Sequence, residues 1–333
     1  MRNALISGGA GFVGSHLAET LLECGWHVEI VDDLSTGSIE NIAHLKGHAN
    51  FGYTLDSVMN RPVMMELVDR ADVVFHLAAA VGVRMVVERP VHTIEMNIKA
   101  TELMLELSAR KQKPLLITST SEVYGRLDKQ KFSEDDDLVL GSTSRARWCY
   151  AASKIIDEFL AKAYFKERGL PVVIVRLFNT IGPRQTGQYG MVVPRFVQRA
   201  LAGEPIPVYG DGTQRRSFTW VGDVVNAMIA LSQHATACGE IFNIGHTKDI
   251  SIYELALTIK EMTGSLSPIQ FIPYEQAYEA GFEDMHRRFP DISKIHKLVG
   301  YYPTVNLREM LERVIAFERA RTRWQNHHSA VVS

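Results

Sequence analysis

Along the first half of the chain, short apolar runs alternate with stretches in which apolar residues recur every three or four positions. Residues 4–7, Ala-Leu-Ile-Ser, form one such run and stop at Gly8-Gly9. A run of this length, bounded by glycine, reads as a strand buried on both faces. Val13, Leu17 and Leu21 follow at helical spacing, up to a C-cap glycine at Gly25. Residues 28–31 are apolar again and close on Asp32-Asp33. The pattern predicts strand, glycine turn, helix and strand, which is one βαβ unit. It continues with a strand at 73–77, a helix over 92–110, a strand at 115–118, a helix over 150–168 and a strand at 171–177. Such alternation predicts an α/β fold built on a Rossmann-type doubly wound parallel sheet.

After Asn179 the pattern changes. Gly, Pro and aromatic residues crowd 182–220, and helices are expected at 191–202, 221–232, 251–263 and 305–322. Short strands are expected at 241–244 and 269–272. The reading is a first domain over 1–178, to which the chain later returns, and a smaller C-terminal α/β substrate lobe over 179–323. A frayed tail over 324–333 completes it.

Composition narrows the class without naming a chemistry. The chain is 46% apolar and 22% charged with a formal net charge of -2. Bulk disorder is excluded, and no broad basic field is present for nucleic acid. Cys24, Cys149 and Cys238 are too scattered for a disulfide framework or a zinc site, so a reducing, cytoplasmic setting and no metal are expected. No apolar run approaches the ~20 residues of a bilayer span, and the N-terminus does not read as a signal peptide. The acidic run at 134–137 reads as a solvated loop.

Gly8, Gly11 and Gly14 carry GxxGxxG spacing directly after a strand and at the start of a helix. In that context Gly8 permits the tight turn, Gly11 admits a pyrophosphate to the backbone, and Gly14 lets the helix pack on the sheet. Phe12 and Val13 complete the loop, whose amides face the phosphates. Asp32 lies 18 residues past Gly14, where a carboxylate accepts the adenosine ribose hydroxyls and repels a 2′-phosphate, favouring NAD over NADP. Asp33 is the rival for that role.

Tyr150 and Lys154 stand four apart in Tyr-Ala-Ala-Ser-Lys, on one face of a helix. A phenol titrates near ~10. A nearby ammonium and an oxidised nicotinamide favour its phenolate, which takes a proton from a sugar hydroxyl as hydride leaves the same carbon.

Gly-Gly-Ala-Gly-Phe-Val-Gly-Ser-His-Leu at 8–17 and Thr-Ser-Thr-Ser-Glu-Val-Tyr-Gly at 118–125 join that pair in a wider pattern. Further matches are Arg-Leu-Phe-Asn-Thr-Ile-Gly-Pro-Arg at 176–184, Tyr-Gly-Asp-Gly-Thr-Gln-Arg-Arg-Ser-Phe at 209–218 and Arg-Phe-Pro-Asp-Ile-Ser-Lys at 288–294. The sequence resembles the extended short-chain dehydrogenase/reductase family, in its nucleotide-sugar epimerase, dehydratase and decarboxylase branch. The resemblance implies that Thr120 bonds the sugar's C-4 oxygen and that Lys154 holds the nicotinamide ribose. It implies that Asp56 contacts adenine and that Ala78 and Ala79 lie beneath the pyrophosphate and ribose. It also implies that Asn179, Arg216 and one of Arg287 or Arg288 hold a diphosphate, with Arg195 beside the base.

The branch is argued from four places. Glu122 resembles the decarboxylases, as a base at C-5 or a group that orients water; alternatively it orients a loop by pairing with an arginine such as Arg84. Ser121, where dehydratases carry aspartate, weighs against 4,6-dehydration. Tyr-Ala-Ala-Ser-Lys and the segment 78–84 are similar to epimerases, with Arg84 and Arg184 facing the pyranose or its carboxylate. The resemblance ranks a UDP-hexose or UDP-hexuronate 4-epimerase first and a UDP-glucuronate decarboxylase as the alternative. A dehydratase or an inactive NAD-binding protein stands behind both. It also implies a homodimer through the two long helices, with Ile155, Phe159, Ala163, Leu103 and Leu107 as seam residues.

Overall fold

The computed structural model describes residues 1–187, 191–277 and 287–332, with side chains for all of these but 83, 84, 275, 277, 287 and 324–332. The apolar runs become seven strands: β1 (Asn3–Ser7), β2 (His27–Asp32), β3 (Phe51–Leu55), β4 (Val73–His76), β5 (Leu115–Thr120), β6 (Val172–Leu177) and β7 (Ile241–Ile244). They form one parallel sheet in the order β7-β6-β5-β4-β1-β2-β3. The order reverses between β1 and β4, which opens a crevice outside the carboxyl ends of those strands.

The helices that matter are α1 (Phe12–Glu23), α2 (Arg61–Arg70), α3 (Val83–Glu88), α4 (Pro90–Arg110), α5 (Trp148–Arg168), α6 (Val192–Ala202) and α7 (Val221–Ser232). One sheet face packs Ile6, Ile30 and Phe75 against Leu17 and Leu21 of α1 and Val224 and Met228 of α7. The other packs Leu5, Val74 and Ile117 against Met64 of α2, Met104 of α4 and Ala161 of α5. A smaller lobe over the carboxyl edge has its own core, with Phe196 of α6, Val208, Leu255 and Met310.

One element joins the two layers near the future site. Glu158 of α5 is gripped by Arg176 of β6 through Nε at 2.9 Å and Nη2 at 2.7 Å, and it accepts the Ser119 hydroxyl of β5 at 2.5 Å. The guanidinium also lies 4.8 Å over the Tyr124 ring. A buried carboxylate and guanidinium so fully bonded pin the middle of α5 to β5 and β6.

The structure corrects four expectations. Residues 241–244, read as part of the lobe, pair with β6 and close the main sheet, and α7 covers that sheet beside α1. A short apolar run does not say which sheet it joins. The strand β3 and helix α2 did not stand out, because β3 is an edge strand with only partial burial. Glu134, read as solvated, is buried and accepts the Asn243 amide at 2.8 Å. The last helix, Leu307–Val332, continues where fraying was expected; no Gly or Pro interrupts it.

Gly14 is a position at which a methyl group has no room. A Cβ there would run into the Gly8 carbonyl and come 2.8 Å from Gly9 Cα, backbone that cannot swing aside. Gly14→Ala should therefore cost about 1–3 kcal/mol of stability, read as a lowered urea midpoint.

Candidate active site

A cavity of about 1360 Å³ lies between the carboxyl edge of the sheet and the lobe. Its floor is the glycine turn. Gly8 sits at φ +75°, and a Cβ on it would meet the Ala78 amide nitrogen at 2.8 Å. The β1 turn and the chain leaving β4 thus approach as closely as backbone allows. Phe12, Val13, Ala78 and Ala79 line the cavity beside the three glycines.

Asp32, at the end of β2, lines it too. One carboxylate oxygen accepts the Ala10 amide at 2.9 Å and the other the Leu34 amide at 2.8 Å. Burial pushes its pKa up against those bonds. Asp33 is exposed, accepts the Ser35 amide and does not line the cavity, so the geometry chooses Asp32 between the two. Asp56 is not brought to the wall; its oxygens accept the Ser57 amide and the Asn60 side chain.

At the other end, Thr120 closes β5 and Tyr150 and Lys154 stand on the first turns of α5. The Thr120 hydroxyl hydrogen-bonds Tyr150 and accepts the Glu122 amide at 3.2 Å. Glu122 lines the cavity and meets Arg288, 3.3 Å from Nη1. The Lys154 ammonium donates to Asp157 at 2.8 Å, both side chains almost fully buried. Burial first, then the charges of Glu122 and Asp157, push the Tyr150 phenol well above its usual range, against the Thr120 hydrogen bond.

The lobe supplies the remaining wall. Asn179 donates to the Ser217 carbonyl at 3.0 Å, and Arg216 is buried with Nη1 on the Arg215 carbonyl at 2.9 Å. Arg195 lies 4.6 Å over the Tyr209 ring and donates to its hydroxyl at 2.9 Å. Among the described residues the Nε atoms of Arg195 and Arg288 are buried without a hydrogen-bond partner. Arg184 also lines the cavity, and its guanidinium goes to Glu19 of α1 at 2.5 Å and to His16, so α1 and the Pro183–Arg184 turn are latched together. The side chains of Arg84 and Arg287 lie outside the described residues. Arg147, a wall residue buried at the N-cap of α5 over the Trp148 ring, and Asp157, beneath Lys154 and behind the wall, both escaped the sequence reading. Asp157 follows Lys154 at helical spacing, which is the one signal that pointed to it.

With that geometry in place, the comparisons are decisive. The family model described as GDP-mannose 4,6 dehydratase matches residues 5–314. The chain belongs to the NAD-dependent nucleotide-sugar epimerase, dehydratase and decarboxylase family of extended short-chain dehydrogenase/reductases. It is 42% identical to a UDP-N-acetyl-alpha-D-glucosaminuronate decarboxylase of Bacillus cytotoxicus, over 96% of this chain and 98% of that one. It is 37% identical to UDP-glucuronic acid decarboxylase 1 of Danio rerio, over 95% of this chain and 72% of that one. The solved UDP-glucuronic acid 4-epimerase of Bacillus cereus, in complex with UDP-glucuronic acid and NAD, superposes with a TM-score of 0.87 at 29% identity, over 96% of this chain and 99% of that one.

As a family member the protein is an NAD-dependent enzyme acting on nucleotide sugars. Among the described residues no group of three His, Cys, Asp or Glu could hold a metal, although His44 and His48 stand four apart. No described helix is long and apolar enough to cross a membrane.

His76 ends β4 beneath the site. Burial and the Lys154 charge lower its pKa from 6.5 to about 3, so the folded protein holds it neutral. The unfolded chain binds that proton first as pH falls. His76 therefore contributes stability that is present above about pH 6.5 and is lost progressively below it. The stability difference between wild type and His76→Gln, from urea unfolding, should shrink between about pH 7 and about pH 5.

Proposed function

We propose that the protein is an NAD-dependent decarboxylase of a UDP-hexuronate, either UDP-N-acetylglucosaminuronate or UDP-glucuronate. The observation that carries this reading is the Glu122–Arg288 pair in the wall beside Tyr150. A 4-epimerase needs only a base and a donor at C-4, plus room for the keto sugar to turn over. A decarboxylase needs more, because losing carbon dioxide from C-6 leaves an enolate that must regain a proton at C-5. A carboxylate and a guanidinium held together beyond the tyrosine suit that task. The two curated decarboxylases, at 42% and 37% identity, support the same choice over the 29% identical epimerase. The epimerase ranked first from sequence thus gives way to the alternative.

The residues present fit NAD: a glycine turn that a Cβ would fill, and a carboxylate at the end of β2 facing the same cavity. When bound, NAD would supply a reversible two-electron acceptor at the sugar's C-4. The chain's own residues do the rest. Tyr150 takes the C-4 hydroxyl proton while Thr120 bonds the oxygen, and Lys154 orients the nicotinamide ribose. The resulting 4-ketone lies β to the carboxylate and accepts the electrons of the breaking C–C bond. Glu122, paired with Arg288, orients the water that returns a proton to C-5. Asn179 and Arg216 bind the diphosphate, and Arg195 with Tyr209 faces the base. A cavity larger than the ~300–1,000 Å³ of one ordinary small-molecule pocket suits a dinucleotide and a nucleotide sugar together.

A second proposal concerns assembly. Leu103 and Leu107 are buried under the sheet rather than in a seam, but Val91 (69% exposed), Ile94, Ile156 and Phe159 (71%) leave an apolar surface on α4 and α5. We infer that this surface pairs two copies.

Four outcomes follow. Incubated with each UDP-hexuronate, the protein should release carbon dioxide and give the UDP-pentose by mass spectrometry; unchanged mass with inverted C-4 would return the epimerase. Tyr150→Phe should lower turnover about 10²–10⁴-fold with NAD still bound, whereas Glu122→Gln should slow carbon dioxide release more than 4-keto sugar formation. Phe159→Glu should convert a dimer to a monomer in light scattering.

A further inference from the structure

Beneath the site runs a buried polar chain that the proposed reaction uses only at its last member, Lys154. Its first member is the Ser7 hydroxyl at the end of β1, 2.7 Å from His76 Nδ1. His76 Nε2 lies 3.3 Å from the Thr101 hydroxyl of α4, which also faces the Asp157 carboxylate. Asp157 in turn holds the Lys154 ammonium at 2.8 Å. His76, Thr101, Lys154 and Asp157 are each no more than 3% exposed. The chain links the strand under the glycine turn to the lysine beside the tyrosine.

A salt bridge this deep is a poor source of stability, because desolvating both ions cancels much of their attraction. Its value here is electrostatic. A lysine ammonium four residues from a tyrosine draws the phenol toward its anion; a carboxylate on the same ammonium undoes part of that pull. We propose that Asp157 is a positioning residue: it fixes the Lys154 ammonium and offsets its charge, so that Tyr150 stays protonated until a positive ring arrives beside it. The proposal rests on the role given to Tyr150 above and adds what controls its ionisation.

The groups facing Tyr150 and Lys154 from each packed element are few. From the turn after β5 comes Glu122, already paired with Arg288. From β4 comes His76, held neutral. From α5 itself come Asp157 and, next to it, Glu158, which Arg176 of β6 neutralises. Thr120 and Thr101 add hydroxyls without charge. Asp157 is thus the anion in direct contact with the lysine. The raised phenol agrees with this arrangement, since Asp157 is among its causes.

The test is an ultraviolet titration of the tyrosinate band in the full-length protein, with and without NAD, using Tyr150→Phe in each background as the blank. Asp157→Asn keeps an acceptor for Lys154 but removes the charge, and should move the Tyr150 transition down by about one pH unit. Asp157→Glu retains the charge and should leave the transition near the wild-type value. Asp157→Ser, which removes the charge and asks no partner of a new amide, replaces the asparagine variant should that one not fold. A transition unchanged or raised in the neutral variants overturns the proposal. The acid limb of kcat/KM should follow the same downward shift. The titration needs no sugar, so failure to decarboxylate would reject the function above while leaving this measurement intact.

Discussion

Everything at the site depends on where the Tyr150 proton resides. The phenol is buried at the junction of β5 and α5, with Glu122 on one side and the Asp157-bound lysine on the other. Burial and negative neighbours both favour the neutral form. Such a tyrosine is a poor base by itself and a good one only beside a newly arrived positive charge. On the reading proposed above, a bound oxidised nicotinamide would provide that condition, and the base would ionise only with the cofactor in place.

The architecture delivers this by gathering strand ends. β1 supplies the glycine turn, β2 Asp32, β4 the Ala78–Ala79 backbone and β5 Thr120, all at one edge of one parallel sheet. The Glu158–Arg176 pair ties α5 to β5 and β6, so that the helix bearing Tyr150 and Lys154 has little freedom to tilt. The lobe then closes over that edge with arginines whose donors are not all used by the protein, the chemistry a diphosphate needs.

Much of this was legible in the chain and some was not, for physical reasons. The glycine turn, Asp32 and the Tyr150–Lys154 pair are local patterns, and local patterns survive in sequence. Apart from β3 and α2, the alternating first half was read correctly, because parallel strands buried on both faces are apolar throughout. The return of β7 to the main sheet was missed because four apolar residues carry no address. Glu134 and Asp157 were misjudged or overlooked for a common reason: each is defined by a partner far off in sequence or by burial, and a charged residue looks solvated until its partner is known. Whether Glu122 faced a cavity or only a neighbouring arginine was left open; in the structure it does both. The preference for an epimerase came from the segment 78–84 and from the residues between Tyr150 and Lys154, which lie on the helix and say little about chemistry at C-5.

The central claim is that electrons borrowed from C-4 of the sugar return to the same carbon after carbon dioxide has left. A UDP-hexuronate carrying deuterium at C-4 tests it directly. The account predicts a UDP-pentose product with that deuterium still on C-4 and with solvent hydrogen newly placed at C-5. Release of carbon dioxide with the C-4 label lost to solvent, or no solvent hydrogen at C-5, would contradict it.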